Sequence, residues 1–287
     1  MVKIIADSTC DLGKDLLEKY DVAMLPLHIL LGDKEYEDGK TITPDEIYQW
    51  SDENKSTPKT SAPSIDTTME LFQPYLEEGK EIVCFSVSSD MSTTGNVMRM
   101  AAEELGMADK VFVVDSANLS TGGGLLVIEA AILAQAGKSA EEIVECMEVL
   151  KPKVRASFVV DTLTYLYRGG RCSGLAAMAG GALKLHPRII VENGKMKPDK
   201  KYRGKLQKVM VSYAKDLEDA LKTAKKDRVF ITHSGCEDEI VEQVRAYLES
   251  LNVFEEILIT RAGGVISSHC GPGTLGVLFI GEDDTKF

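Results

Sequence analysis

Val2-Lys3-Ile4-Ile5-Ala6-Asp7-Ser8-Thr9-Cys10-Asp11 opens the chain with a unit that recurs. An apolar run long enough for one buried strand ends in hydroxyl and carboxyl residues, and helix-forming residues follow from Leu12 to Tyr20. The same order returns where Glu81–Phe85 leads into Ser86-Val87-Ser88-Ser89-Asp90-Met91-Ser92-Thr93-Thr94-Gly95. It returns again where Val111–Val114 leads into Asp115-Ser116 and Ser120-Thr121-Gly122, and where Val229–Ile231 leads into Thr232-His233-Ser234-Gly235. Strand and helix in alternation predict a parallel sheet covered by helices. Between these units Val22–Leu31 reads as a strand, and Pro44–Asn54, Thr93–Leu105, Thr121–Ala136 and Ala140–Leu150 read as helices. Another helix starts at Ser64, with Ile65, Met69, Phe72 and Leu76 at helical spacing.

The second half reads differently. Ser157–Asp161 is a strand, and a short helix runs into Arg168-Gly169-Gly170-Arg171. Arg188–Met196 reads as a hairpin turning at Asn193-Gly194. A long helix is expected over Lys205–Lys225 and another over Glu237–Leu251, with strands at Arg228–Thr232, Glu255–Thr260, Val265–Ser268 and Leu275–Ile280. A hairpin within an alternating pattern predicts a mixed sheet. The expectation is therefore an α/β protein of two domains. Residues 1–155 form a Rossmann-like domain with a parallel sheet, and residues 156–287 form a mixed-sheet α/β domain. A length of 287 residues fits that number.

Composition narrows the function classes. The net charge is −12, which disfavours binding nucleic acid over the whole surface. The charge is uneven: residues 1–150 hold 11 basic and 28 acidic residues, residues 151–287 hold 22 and 17. Nine Lys or Arg crowd into residues 184–208 against Glu192 and Asp199, which marks a docking face or a solvated one. The opening segment turns polar too soon for a signal peptide, and no apolar run approaches a membrane span, so stable membrane insertion is not expected. Six scattered cysteines without a C-x-x-C pair suggest neither a zinc site nor a disulfide framework, and fit a reducing cytoplasm.

The hydroxyl-rich loops lie where parallel strands end, the usual ligand side of an open α/β sheet. Helix N-termini there offer N–H groups and a partial positive charge, suited to a small anion. Helix capping is the commoner explanation of any one such loop; several of them together favour a small anionic ligand. Thr60-Ser61-Ala62-Pro63-Ser64 adds an extended loop whose hydroxyls can face the same cleft. His269 stands between apolar residues and glycines, able to donate to a carboxylate or to act as a base. Gly271-Pro272-Gly273-Thr274-Leu275-Gly276 matches a dinucleotide fingerprint, but only eleven residues follow it. No G-x-S-x-G elbow and no H-E-x-x-H helix occurs, and no cofactor is expected.

Taken in order, Asp7-Ser8-Thr9-Cys10-Asp11-Leu12, Thr60-Ser61-Ala62-Pro63-Ser64, the Ser88–Gly95 loop, Val114-Asp115-Ser116, Arg168-Gly169-Gly170-Arg171 and Val265-Ile266-Ser267-Ser268-His269-Cys270-Gly271-Pro272-Gly273 make the chain resemble the DegV family along its whole length. The resemblance implies a two-domain α/β protein with a long-chain fatty acid buried between its domains. It implies a lipid-binding carrier without catalysis of its own. Some family members look like the lipid-binding subunit of bacterial fatty acid kinase, in which a separate ATP-using subunit phosphorylates the bound carboxylate to an acyl phosphate. The family's carboxylate contacts fall on Thr60, Ser92 and His269, with Ser61 and Thr93 beside them. Arg171 and Arg203 match arginines linked to ligand exit or kinase docking. Asp90 stands where the family has glycine, Ser92-Thr93-Thr94 where it has Ser-Gly-Thr, and Cys270 where threonine is common. Unless Asp90 points away, its charge weakens anion binding. The rival readings are a Ser/His hydrolase or acyltransferase, with Ser92 or Ser8 as nucleophile and His269 as base, and a lipid-responsive regulator.

Overall fold

The computed structural model describes residues 1–172 and 185–282. Its strands are β1 (Val2–Asp7), β2 (Val22–Leu25), β3 (His28–Leu31), β4 (Lys34–Glu37), β5 (Lys59–Ser61), β6 (Glu81–Ser86), β7 (Val111–Asp115), β8 (Val154–Val159), β9 (Leu185–Glu192), β10 (Lys195–Arg203), β11 (Ala224–Ser234), β12 (Glu256–Arg261) and β13 (Thr274–Gly281). The α-helices are α1 (Lys14–Lys19), α2 (Pro44–Asn54), α3 (Ile65–Glu77), α4 (Thr94–Glu104), α5 (Ser120–Gln135), α6 (Ala140–Leu150), α7 (Thr164–Gly169), α8 (Leu206–Asp216), α9 (Glu218–Lys222), α10 (Asp238–Ser250) and α11 (Gly264–Cys270).

Four strands in the order β2-β1-β6-β7 form an all-parallel sheet. Its central strands are buried on both faces, as their unbroken apolar runs require. Six strands in the order β10-β9-β8-β13-β11-β12 form the mixed sheet, in which β11 and β12 alone pair in parallel, with α10 as their crossover. The α/β architecture of a parallel sheet followed by a mixed one is thus the observed one. Helix α5 lies in the core that both sheets share. Its Leu125, Leu126, Val127 and Ile128 cluster with Ile4 and Phe85 of the parallel sheet and with Phe158 and Leu278 of the mixed one. A helix apolar all round belongs in such a place.

Local signals account for many boundaries. Thr43 and Glu46 make a reciprocal capping box with Pro44 in the first turn, so α2 starts there. Asn193 and Gly194 both adopt positive φ, 50° and 78°, the backbone of a tight hairpin turn between β9 and β10.

Four readings are corrected. Val22–Leu31 is two strands, because Pro26 interrupts it: β2 continues the parallel sheet, while β3 turns into a separate antiparallel sheet β4-β3-β5. Thr60 and Ser61 therefore lie on a strand, opposite Ile29 and His28, rather than in a loop. The long helix over Lys205–Lys225 divides into α8 and α9, and its end enters β11, where Lys225 reaches Glu129 of α5 at 2.8 Å. Val265–Ser268, read as a strand from its β-branched residues, is the middle of α11; remote carboxylates accept the N–H groups that start this helix.

Candidate functional site

The ends of β1 and β6, strand β5, helix α11 and the inner face of the β9–β10 hairpin enclose a cavity of about 420 Å³. Its volume lies in the range of small-ligand sites. Leu27, Val87, Met91, Leu119, Met196 and Val265 supply apolar wall. Thr60, Ser61, Ser92, Thr93 and His269 all line the same space, although they come from three distant parts of the chain. Arg171 lines it too; Arg203 does not, and sits exposed near the end of β10. Lys184, the first residue of the basic stretch, lies outside the described residues.

The loop after β6 is held from several sides. Val87 N–H donates to Asp7 Oδ2 at 2.8 Å, and Ser88 N–H donates to Asn118 O at 2.9 Å. Ser88 Oγ donates to Gly194 O at 2.7 Å, which ties the loop to the hairpin tip. Ser89 Oγ donates to Asp115 Oδ2 at 2.5 Å. With those anchors set, Met91 and Ser92 N–H groups close back on Ser88 O. Ser92 Oγ then shares a 2.8 Å hydrogen bond with Thr94 Oγ1, while Thr93 makes no side-chain cap of its own at the start of α4. Asp90 points away: its carboxylate faces Lys195 Nζ at 3.5 Å on the hairpin, and it does not line the cavity. The negative charge that departs from the family pattern is thereby directed out of the site.

On the opposite wall, Thr60 Oγ1 and His269 Nε2 share a hydrogen bond of 2.8 Å. His269 Nδ1 is buried without a hydrogen-bond partner and packs against Gly169. Burial, and then the nearby Arg171 guanidinium, push the imidazole pKa down to about 4. The ring is therefore neutral at pH 7, and the site offers an anion hydroxyls, a neutral imidazole and the Arg171 guanidinium.

That depression has a measurable consequence. Between its ordinary value of 6.5 and about 4, the unfolded chain takes up a proton that the folded one refuses. Stability is lost as pH falls through this window, by at most about 3 kcal/mol, and the group is silent above it. Asp7, pushed up to about 6 by burial, has the opposite sign: its contribution is present below pH 3.8 and is lost as pH rises through 6. Comparing wild type with His269→Gln isolates the histidine. Urea titrations of both at pH 7 and pH 4.5 are expected to show wild type losing more stability on acidification; parallel losses would contradict the assignment.

The serine–histidine reading finds little here. Ser8 Oγ donates to Asp38 Oδ2 at 2.8 Å and accepts from Leu27 N–H at 3.2 Å, in a buried position. His269 Nε2 is engaged by Thr60, and its Nδ1 has no carboxylate behind it. Neither half of a Ser–His–Asp relay is assembled.

Three groups escaped the sequence reading. The apolar wall comes from several segments and has no local period. Gly169 stood inside a recognised motif, but its closeness to His269 is visible only in space. Asp38 looks like an ordinary turn residue and Asp11 stood in a motif without a role of its own, although both are buried beneath α11.

The sequence model described as "Uncharacterised protein, DegV family" matches residues 1–282. A fatty acid-binding protein of Thermotoga maritima is 33% identical over 286 residues, covering 96% of each chain. A solved fatty acid-binding DegV family protein from Thermus thermophilus superposes with a TM-score of 0.89 at 32% identity, covering 98% of this chain and 99% of the other. A stearic acid-binding protein from Eubacterium ventriosum superposes with a TM-score of 0.85 at 30% identity, covering 98% and 99%. With a family match that runs nearly end to end and relatives alike in both sequence and fold, the chain belongs to the DegV family.

Proposed function

We propose that the protein binds one long-chain fatty acid in the cavity between its sheets and presents the carboxylate to a separate ATP-using kinase subunit. The observation that carries this reading is the meeting of Thr60, Ser61, Ser92, Thr93 and His269 at one apolar cavity. An acyl tail removed from water contributes about 0.8 kcal/mol per methylene, so the tail supplies affinity. The hydroxyls and the neutral imidazole orient the head. Held by hydroxyls and a neutral imidazole, the carboxylate keeps one oxygen free to attack the γ-phosphorus of ATP. The products are the acyl phosphate and ADP.

Docking of the kinase is assigned to Arg171 and Arg203, both exposed; Lys201, Lys205 and Lys208, near Arg203 in the chain, are exposed as well. The other lysines around the hairpin are paired: Lys195 with Asp90, Lys197 with Glu192 and Lys200 with Asp216. The two domains are taken to divide near residues 155 and 156, close to the short turn Lys151–Lys153 that leads into β8. Among the described residues no helix is long and apolar enough to cross a membrane. Cytoplasmic placement follows from the cysteine usage.

Ser92→Ala and His269→Ala are each expected to weaken fatty acid binding about tenfold, the scale of one hydrogen bond to a charged group. Displacement of a fluorescent fatty acid measures it, and unchanged affinity in both variants sinks the head-group assignment. With ATP and a candidate kinase subunit added, hydroxylamine should trap the acyl phosphate as a hydroxamate. A loaded protein that yields none with any such kinase would leave binding without presentation.

A further inference from the structure

Helix α11 is a poor helix on its own terms. It has seven residues, its N-cap is Gly263, and no N-cap side chain closes its first turn. Val265 and Ile266 favour strand, and short isolated helices are unstable in water. Its first N–H groups find partners elsewhere. Gly263 N–H donates to Asp11 Oδ1 at 2.8 Å, and Gly264 N–H donates to Asp38 Oδ1 at 2.7 Å. The remaining oxygens are also held: Ser120 Oγ donates to Asp11 Oδ2 at 2.5 Å and Ser8 Oγ to Asp38 Oδ2 at 2.8 Å. Each carboxylate is thus held by donors on both of its oxygens, and the helix they start carries His269 in its last turn.

We propose that Asp11 and Asp38 are positioning residues for the head-group site, setting where α11 delivers His269 against Thr60. This rests on the reading that His269 orients the bound carboxylate. Stability alone is a weak reason for the arrangement. Asp11 and Asp38 are buried close enough to repel one another, and burial drives both carboxyls up from their ordinary value. Well-packed apolar residues commonly replace buried charges without loss. What apolar residues do not supply is a pair of directed acceptors at a helix start, where a negative charge also complements the helix dipole. The geometry is fixed where it matters, because the Thr60–His269 bond of 2.8 Å leaves the ring little latitude.

The test is Asp11→Ala and Asp38→Ala in the full chain, with Val244→Ala as control. Val244 belongs to α10 and is buried in a hydrophobic cluster that contains no residue of α11. Three quantities are read: the unfolding midpoint, the Kd for a fluorescent fatty acid well below that midpoint, and the imidazole ¹⁵N signals of His269. Both aspartate variants are expected to raise Kd about tenfold and to shift the His269 signals. Asp38→Asn, which keeps an acceptor oxygen for Gly264 N–H, should restore most of the affinity. Val244→Ala should lower the midpoint and leave the other two quantities alone. Aspartate variants that lower the midpoint but keep wild-type Kd and His269 signals would overturn the proposal. Should an alanine variant not fold, Ser120→Ala and Ser8→Ala each remove one donor, from Asp11 and Asp38 respectively. The same three quantities are then measured: a raised Kd with shifted His269 signals supports the proposal, and wild-type values of both overturn it. His269→Ala separates the two claims. If it binds as wild type, the head-group reading fails, while the ¹⁵N signals of the aspartate variants still decide the clamp.

Discussion

Gly169→Ala is expected to weaken fatty acid binding by tenfold or more, with a modest loss of stability. A Cβ at position 169 would lie 2.4 Å from His269 Nδ1, and 3.3 and 3.4 Å from two ring carbons. No side chain fits there, so the ring must move or α7 must retreat. Displacing the ring breaks the 2.8 Å bond between His269 Nε2 and Thr60. Position 169 ends α7, where alanine is intrinsically favoured over glycine by up to about 1 kcal/mol, which offsets part of the roughly 1–3 kcal/mol that overpacking costs. Gly170→Ala is the matched control. Gly170 has φ of 67° with nothing within 4 Å of its missing Cβ. That substitution should reduce stability by about 1–2 kcal/mol through backbone strain and leave affinity alone. Titration calorimetry with a soluble fatty acid and thermal unfolding of both variants check the pair. Equal affinities for the two would mean that His269 is not the group that matters.

Glu129→Ala should produce the largest loss of stability. Glu129 projects from the shared-core helix α5 and accepts from Lys225 Nζ at 2.8 Å and from Arg228. Arg228 is buried, with only 8% of its side chain exposed, and its remaining carboxylate neighbour is Asp227 at 3.4 Å. Removing Glu129 leaves the buried guanidinium only the longer contact to Asp227, an effect of up to about 3 kcal/mol, the lower end of the cost of breaking a buried pair. The double change Glu129→Met with Arg228→Met should recover most of it, because the isolated charge is then gone as well. Urea denaturation of wild type and both variants measures the difference. A single variant with an unchanged midpoint would show the pair to be only a surface contact.

What could be read in the chain depended on how near the determinants lie. Thr43, Pro44 and Glu46 sit within one turn of the helix they start, and Asn193-Gly194 make their turn alone, so α2 and the β9–β10 hairpin were legible. The alternating strands of the parallel sheet were legible because buried strands need continuous apolar runs. Helix α11 was not. Val265 and Ile266 favour a strand, and the acceptors that override them stand 252 and 226 residues away. Pro26 was visible in the sequence, yet that it separates two sheets depended on where β3 found its partners. The residues proposed to hold the head group entered through family resemblance. Thr60 and His269 are 209 residues apart, and no periodicity joins them. The orientation of Asp90 toward Lys195 was likewise a matter of tertiary contact.

The most direct measurement is native mass spectrometry of the protein as purified from cells, followed by denaturing extraction and lipid analysis. One long-chain fatty acid per chain, released on denaturation and diminished in His269→Ala, is the result expected. Protein that is empty as isolated and takes up no added fatty acid would contradict the account at its centre.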